Sequence, residues 1–411
     1  MAKKKAVEKL PSIFISSSDW HIGHLPVEQL EYEFFGEGGF LEKVVEYINF
    51  AKENDFRFLG LMITGDIFHK QLNLNSKDAS FAFVLFQALF KIIIEENNSN
   101  IVIIRGTYGH DYSQLNSLKP FMNTYPDRLF IYDTLDELTL EGYDILCIPE
   151  EYMKNQDEYY KEAFSKKRDI LLAHGFMKMN CFNKNEVERR MPDMPIFDEK
   201  QLVKICRVGI FGHDHHHSNF EEHIWYNGSL SRNAHGEEEA KGFLVHYIDK
   251  DVVETEFVEN ELALTFKTFH LDDIMKPAKE TGLIDFAKLV KKVNKLYEQY
   301  DNIKIKVAQH NVTKQPEIID LLKDYYIKYG SSIIIEGAGI KLTTGEYINI
   351  KSEEDDEDEK LEETEGKYEF LNDTAINIDE KIKKFIEVKH ENRVKTELSL
   401  EFIREAISPE V

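Results

Sequence analysis

Five stretches place carboxylates and imidazoles directly after apolar runs. They are Asp19-x-His21, Gly65-Asp66-x-x-His69, His110-Asp111, Ala173-His174-Gly175 and Gly212-His213-Asp214-His215. In an extended segment residues i and i+2 point the same way, so Asp19 with His21, and His213 with His215, can act as pairs. Carboxylate and neutral imidazole together suit borderline-to-hard divalent ions, manganese, iron and zinc among them. A carboxylate such as Asp66 can bridge two ions, and two ions roughly 3.5–4 Å apart can activate a water and stabilise phosphate charge during in-line displacement. The chemistry implied is hydrolysis of a phosphate ester. Each stretch alone has a plainer reading. Gly-Asp at a strand end is often turn chemistry, the "HDHHH" run can be a solvated polar turn, and His174 between Ala and Gly reads as a satisfied core histidine. All five in order, each after an apolar strand, argue for one shared metal centre.

The elements that must position these groups can be read from hydrophobic pattern. "SIFISS", "FRFLGLMIT" and "NIVIIRG" read as buried strands, separated by the helical spacing of "GGFLEKVVEYINFAKENDF" and "SKDASFAFVLFQALFKIIIEENN". Between the first strand and the first of these helices the chain reads as a polar loop. Strand-helix-strand-helix-strand at these lengths is the pattern of a parallel α/β sheet, and the shorter strands from "RLFIYD" to "VVETEFV" resemble a second sheet of mixed or antiparallel pairing. In open α/β folds the loops at the carboxyl ends of strands converge on one crevice, so groups far apart in sequence can meet. In "IIRGTYGHD" Gly106 and Gly109 each read as permitting a sharp turn. The helix over 77–94, with Ser76 as its N-cap, is apolar around more than one face. Either the core surrounds it or a second protomer covers its outer side.

The chain of 411 residues has material for two or three domains and a sizeable core; 42% hydrophobic and 12% aromatic residues are ordinary for a globular protein. Cys147, Cys181 and Cys206 are widely spaced with no zinc-motif pairing, which reads as reduced thiols. The basic start lacks the apolar core of a signal peptide and no apolar run is long enough to span a membrane, so the expectation is a cytoplasmic protein of a bacterial or phage-infected cell, with no membrane partner. A net charge of −24 argues against a broadly basic nucleic-acid binder. The charge is uneven, however: residues 353–365 carry ten acids and one Lys, a net of −9, leaving −15 for the rest. Any nucleic-acid contact must be local, helped by cations, or shared with a partner. That acidic run reads as a self-repelling linker.

The strand-end motifs resemble the calcineurin-like metallophosphoesterase superfamily, whose pattern is Asp-x-His, Gly-Asp, Gly-Asn-His-Asp, a lone His and Gly-His-x-His, over residues 13–217. "SDWHIGH" and "GDIFH" more narrowly resemble SbcD-type nucleases, double-strand-break repair subunits also encoded by large phages. The resemblance implies an α/β fold: a two-sheet metallophosphoesterase sandwich flanked by helices over 1–260, a small α+β capping domain over 261–348, the acidic linker over 349–373 and C-terminal helices over 374–411. It implies two Mn2+ ions, Mg2+ or other divalent ions being possible. Asp19, His21, Asp66 and His215 would hold the first; Asp66, His174 and His213 the second. His110 would stabilise the transition state or protonate the leaving group, with Asp111 orienting it, and His69 would position the scissile phosphate. The "NGSL" stretch, 227–230, would pack near the site. The implied function is a DNA exonuclease and endonuclease subunit of an SbcCD-like repair complex. It would be a homodimer through helix 77–94, bound to an SbcC-like coiled-coil ATPase through 374–411. One departure stands out. Gly-Thr-Tyr-Gly-His-Asp replaces Gly-Asn-His-Asp, so the Asn whose amide oxygen ligates the second ion is absent. Thr107, a loop carbonyl or water is left to substitute, and a weaker second site is expected. The alternatives are a phosphodiesterase or phosphatase for another substrate, and a non-catalytic scaffold subunit that keeps its ions as structure.

Overall fold

The computed structural model describes residues 9–111, 114–180, 193–322, 332–336, 340–343 and 346–349. Cys181, the acidic run and the expected helices over 374–411 lie outside the described residues. The chain divides into two compact units. One comprises Met1–Thr268 with Leu296–Asn302; the other gathers Phe269–Lys295 and the described residues from Ile303 onward.

The first unit is built on two six-stranded sheets. Its strands are β1 (Ser12–Ser17), β2 (Arg57–Thr64), β3 (Asn100–Ile104), β4 (Leu129–Tyr132), β5 (Asp136–Leu140), β6 (Tyr143–Ile148), β7 (Arg168–His174), β8 (Phe176–Met177), β9 (Ile196–Phe197), β10 (Cys206–Gly212), β11 (Ser218–Phe220), β12 (Ile224–Tyr226), β13 (Gly242–Ile248) and β14 (Val253–Glu259). One sheet has the order β14-β13-β1-β2-β3-β4, the other β11-β12-β10-β7-β6-β5, and β8 pairs separately with β9. β1 to β4 are parallel, as are β12, β10, β7 and β6; the edges β13–β14, β5 and β11 run antiparallel. A second sheet of mixed pairing is present with a parallel centre, but β4, β13 and β14, expected in it from the sequence, belong to the first sheet, β4 on one edge and the antiparallel β13–β14 pair on the other.

Alternation along the strands assigns the layers, because successive side chains leave opposite faces. Phe14, Met62, Val102 and Ile104 pack against Tyr143, Ile145, Ile170, Leu172, Val208 and Ile210 in the core between the sheets. Ile13, Ile15, Leu61, Ile63, Ile101 and Ile103 face the other way, onto helices. Those helices are α1 (Val27–Phe35), α2 (Phe40–Glu53) and α3 (Lys77–Leu89). The far face of the second sheet is covered by Tyr160, Leu202 and Ile205. The result is a mixed α/β sandwich of two sheets flanked by helices.

Ser76 caps α3 by accepting from Ala79 N at 3.1 Å. Beyond Leu89 the helix widens into a π-helical turn, Phe90–Glu95. Phe81, Leu85, Phe86, Leu89, Phe90 and Ile93 are buried, whereas Phe83 and Val84 are 53% and 51% exposed. The core thus takes one broad face of this helix, and the two apolar residues opposite remain outside it.

The second unit carries a sheet of order β15-β16-β17-β18-β19, formed by Phe266–His270, Asn302–Ala308, Ser332–Glu336, Ile340–Thr343 and Glu346–Asn349. Ile303, Ile305 and Val307 alternate inward along β16, and the helix Phe286–Tyr297 buries Leu289 and Val293, one turn apart. The expected single strand "SSIIIEGAGIKL" is a β17–β18 antiparallel pair.

Candidate metal centre

Parallel pairing in both sheets aligns the carboxyl ends of β1, β2, β3, β6, β7 and β10, and the chain turns sharply as it leaves them. Beyond β1 the exit loop is zipped to the one beyond β2: Asp19 N donates to Gly65 O at 3.0 Å and His21 N to Asp66 O at 3.1 Å. Four ligand candidates hold left-handed backbone, with φ of 52° at Asp19, 45° at His21, 51° at Asp66 and 92° at His213. Such conformations cost about 1–3 kcal/mol each in non-glycine residues and concentrate at functional sites. Two glycines make the close approach possible. Gly65 has φ 87°, and a Cβ there would lie 2.4 Å from His174 Nδ1. A Cβ on Gly106 would fall 2.2 Å from Asp66 N and 2.3 Å from its Oδ1. Gly109 plays no such part; it sits in the short helical turn Tyr108–Asp111.

The six metal-ligand candidates expected from the sequence come together in two groups. Asp19, His21 and His215 have ligand atoms all within 4.8 Å of one another, and so do Asp66, His174 and His213. His21 Nε2 and His215 Nε2 are 2.9 Å apart. His215 Nδ1 faces Glu237 Oε1 at 2.7 Å and His174 Nδ1 faces Thr64 O at 2.7 Å. Each of those bonds fixes Nδ1 and leaves Nε2 as the atom aimed into the cluster, where it can ligate an ion once the ion displaces its proton. Asp66, between the β1 and β3 exits, accepts from Thr107 N at 2.6 Å and from Thr107 Oγ1 at 3.1 Å.

The electrostatics fit cations. Burial opposes a charge on His174, but the carboxylates of Asp66, Glu150 and Asp19 hold its pKa up, at about 10. Burial likewise opposes ionisation of Asp66, and His174, with His21 and His110, holds its carboxyl well below the usual range. His21 is pushed well below the ordinary imidazole value by burial and by His215, His110 and His69, against the pull of Asp66, so it is a neutral donor. The field that retains a proton on His174 is the field a divalent cation would meet. Several buried polar atoms also lack a well-formed hydrogen bond: His21 Nδ1, His213 Nδ1 and both oxygens of Glu150. Buried polar atoms of this kind mark a site built for something other than protein hydrogen bonds, and nitrogen with carboxylate oxygen is a donor set suited to two divalent ions.

A third group, His21, His69 and His110, also has its ring nitrogens within 4.8 Å. His110 Nδ1 faces Phe68 O at 3.2 Å, which leaves its Nε2 as the outward atom. His69 faces His24 Nδ1 at 3.3 Å, and burial, then His24 and His110, lowers its pKa to about 4. Asp111, to which the resemblance gave the role of orienting His110, turns its carboxylate to backbone N–H groups. Its fully buried carboxylate accepts from Asp66 N at 2.8 Å, Gly106 N at 2.9 Å and Phe68 N at 3.2 Å. It therefore ties the exits of β2 and β3 together, while a backbone carbonyl orients His110. Asn227, in the "NGSL" stretch, bonds Ser16 Oγ at 2.6 Å and Thr64 Oγ1 at 2.8 Å, beneath the metal groups.

Two acids were missed in the sequence. Glu237 holds His215, and Lys241, 3.1 Å from Glu237 and almost wholly buried, braces it. No motif marks such a residue. Glu150, fully buried, follows β6 by two residues. Its Oε2 lies 3.1 Å from His213 Nδ1 and 3.7 Å from His174 Nε2. Burial raises its pKa, but His213, His174 and the nearby Tyr152 hydroxyl outweigh that and hold it below the ordinary value. The signal for it was visible: an acid at a strand end, "ILCIPE", as in the five motifs.

No family model matches the sequence, and neither does any curated protein. Among solved structures the chain is similar to an archaeal phosphodiesterase (14% identity, TM-score 0.30, covering 60% of this chain and 99% of that one). It is also similar to a dimetal phosphatase from Danio rerio (8%, 0.33, 61% and 97%) and to the calcineurin-like phosphoesterase YfkN from Bacillus subtilis (10%, 0.33, 71% and 97%). Likenesses of that size carry no argument about chemistry, which has to come from the side chains themselves.

Proposed function

We propose that this protein is a two-cation phosphodiesterase acting on DNA, the nuclease subunit of an SbcCD-like complex. The observation that carries the hydrolase reading is the convergence of Asp19, His21 and His215, and of Asp66, His174 and His213, from the ends of separate strands into adjoining groups. Divalent ions held there, Mn2+ foremost, would supply an activated water and neutralise phosphate charge. The chain's own residues do the rest. His110, with its proton-bearing Nδ1 tied to Phe68 O, presents Nε2 to the leaving oxygen. His69 stands beside it in the same histidine group, where it can orient a phosphate. The choice of DNA rests on the "SDWHIGH" and "GDIFH" resemblance. The exposed Phe83 and Val84 of α3 favour a homodimer across that helix, and the amphipathic pattern over 374–408 favours docking to a coiled-coil ATPase that brings basic surface to an acidic chain.

The test is hydrolysis of end-labelled linear duplex DNA beside a chromogenic phosphodiester, with Mn2+, for wild type, His110→Ala and His174→Ala. Cleavage of DNA by wild type, lost by about 100-fold or more in both variants, is the expected result, general acid catalysis alone contributing 10²–10⁴-fold. Turnover of the small ester without DNA cleavage would favour a phosphodiesterase for another substrate. Equal residual activity in all three proteins would favour the scaffold reading.

A further inference from the structure

We infer that Glu150 is a direct ligand of the second cation, completing a set of Asp66, Glu150, His174 and His213. The inference rests on the two-cation reading above and adds to it a residue outside every strand-end motif.

The argument is geometric. Around His174 Nε2 stand Asp66 Oδ2 at 3.4 Å, Thr107 Oγ1 at 3.5 Å and Glu150 Oε2 at 3.7 Å. Donor atoms bonded to one ion at about 2.0–2.2 Å are separated by about 3.0 Å in octahedral and about 3.4 Å in tetrahedral arrangement. The observed spacings approach that range and are long for hydrogen bonds. Glu150 Oε2 and His213 Nδ1 are 3.1 Å apart, an ion-pair distance, without the alignment of a well-formed hydrogen bond. The two groups approach without being aimed at each other, as donors directed at a common third point do. Glu237 provides the contrast. It forms a hydrogen bond of 2.7 Å with His215 Nδ1, the arrangement of a residue that orients a ligand.

Position in the fold agrees. Ile148 of β6 lies opposite Ala173 of β7 in parallel register, so Glu150 leaves its strand beside the exit that delivers His174. Its backbone is pinned there: Glu150 N donates to Arg105 O at 3.2 Å, and the Arg105 guanidinium donates to Glu150 O at 2.6 Å. A fully buried carboxylate is costly unless charge compensates it, and beside Glu150 stand the imidazoles of His213 and His174 and the Tyr152 hydroxyl. Two carboxylates and two imidazoles around a divalent ion leave no net charge. The weaker second site expected from the missing Asn gives way to a site with an anionic ligand in addition.

The experiment is calorimetric titration of Mn2+ into the metal-free full chain, for wild type, Glu150→Ala, Glu150→Gln and Glu237→Gln, with thermal unfolding of each protein with and without Mn2+. Wild type should bind two ions. Glu150→Ala should keep one and weaken the other by more than about 100-fold, beyond the 10–100-fold loss typical of a residue that only orients a ligand. Glu150→Gln, which retains an amide oxygen, should fall between. Glu237→Gln should show the orienting residue's loss, on the other ion. The Mn2+-dependent rise in unfolding temperature should shrink in both Glu150 variants. Two ions bound by Glu150→Ala within tenfold of wild type would overturn the inference and leave the two-cation reading standing. A loss no larger than that of Glu237→Gln, or a lower unfolding temperature without Mn2+ and an undiminished rise with it, would assign Glu150 an orienting or structural role instead. Failure of wild type itself to bind two ions would sink the reading on which the inference rests.

Discussion

His246 shows how a buried titratable group can be separated from the site. Its ring is fully buried against Phe14, 2.8 Å from Ser16 Oγ and 2.9 Å from Thr255 Oγ1, and burial lowers its pKa to about 3. The unfolded chain takes up a proton on this side chain near pH 6.5 and the folded chain does not, so its contribution to stability is intact above pH 6.5 and is lost as pH falls from there toward 3. The slope is about 1.4 kcal/mol per pH unit. In denaturant unfolding of metal-free protein, wild type should lose about 2 kcal/mol more than His246→Gln between pH 6.5 and 5.0; parallel profiles would show that this imidazole does not titrate on unfolding. At this scale much of the site was legible. Asp19, His21, Asp66, His174, His213 and His215 are readable because each follows an apolar strand and carries metal-binding chemistry. The bonds of Asp111 could not be read from the sequence, because a helical turn points its carboxylate back to three backbone N–H groups. Glu237 could not be read at all, since an orienting residue has no spacing rule.

Elements position these groups through backbone as much as through side chains. The Cβ of a Gly106→Ala variant would meet Asp66 backbone, which cannot move without disturbing the β1–β2 exit bonds. A stability loss of about 1–3 kcal/mol together with weakened Mn2+ binding is expected, measured by denaturation and calorimetry on one sample. Ser76→Ala should cost about 1 kcal/mol, the usual value of a helix N-cap, and leave cation binding unchanged, since α3 lies on the helix side of the first sheet. The parallel strands and α2 and α3 were readable from period and length. α1 was not: Glu33 is fully buried on it, bonded to Gln29, Ser231 and Asn260, and a buried acid breaks the apolar stripe that would announce a helix. The π-turn after Leu89 is equally invisible, because an apolar run gives no sign of one extra residue per turn.

If the substrate is DNA, as proposed, the whole chain has to reconcile a strongly acidic composition with a polyanion. In the proposed reading, cations at the strand ends would answer this locally and a partner would answer it globally, so cation binding should precede any nucleic-acid contact. If α3 pairs two protomers, Phe83→Glu combined with Val84→Glu should convert dimer to monomer in light scattering while Mn2+ stoichiometry per chain stays the same; a wild-type monomer at all concentrations would remove the dimer from the proposal. Among the described residues no helix is long and apolar enough to cross a membrane. The sandwich itself was legible because both sheets alternate clearly; the change of pattern after residue 260 is followed by β15, which starts at Phe266 and within which the unit division falls. The most direct test of the two-cation centre is anomalous diffraction at the manganese edge from crystals grown with Mn2+. Two peaks are predicted, one among Asp19, His21 and His215 and one among Asp66, His174 and His213. A single peak, or none, at saturating Mn2+ would contradict it.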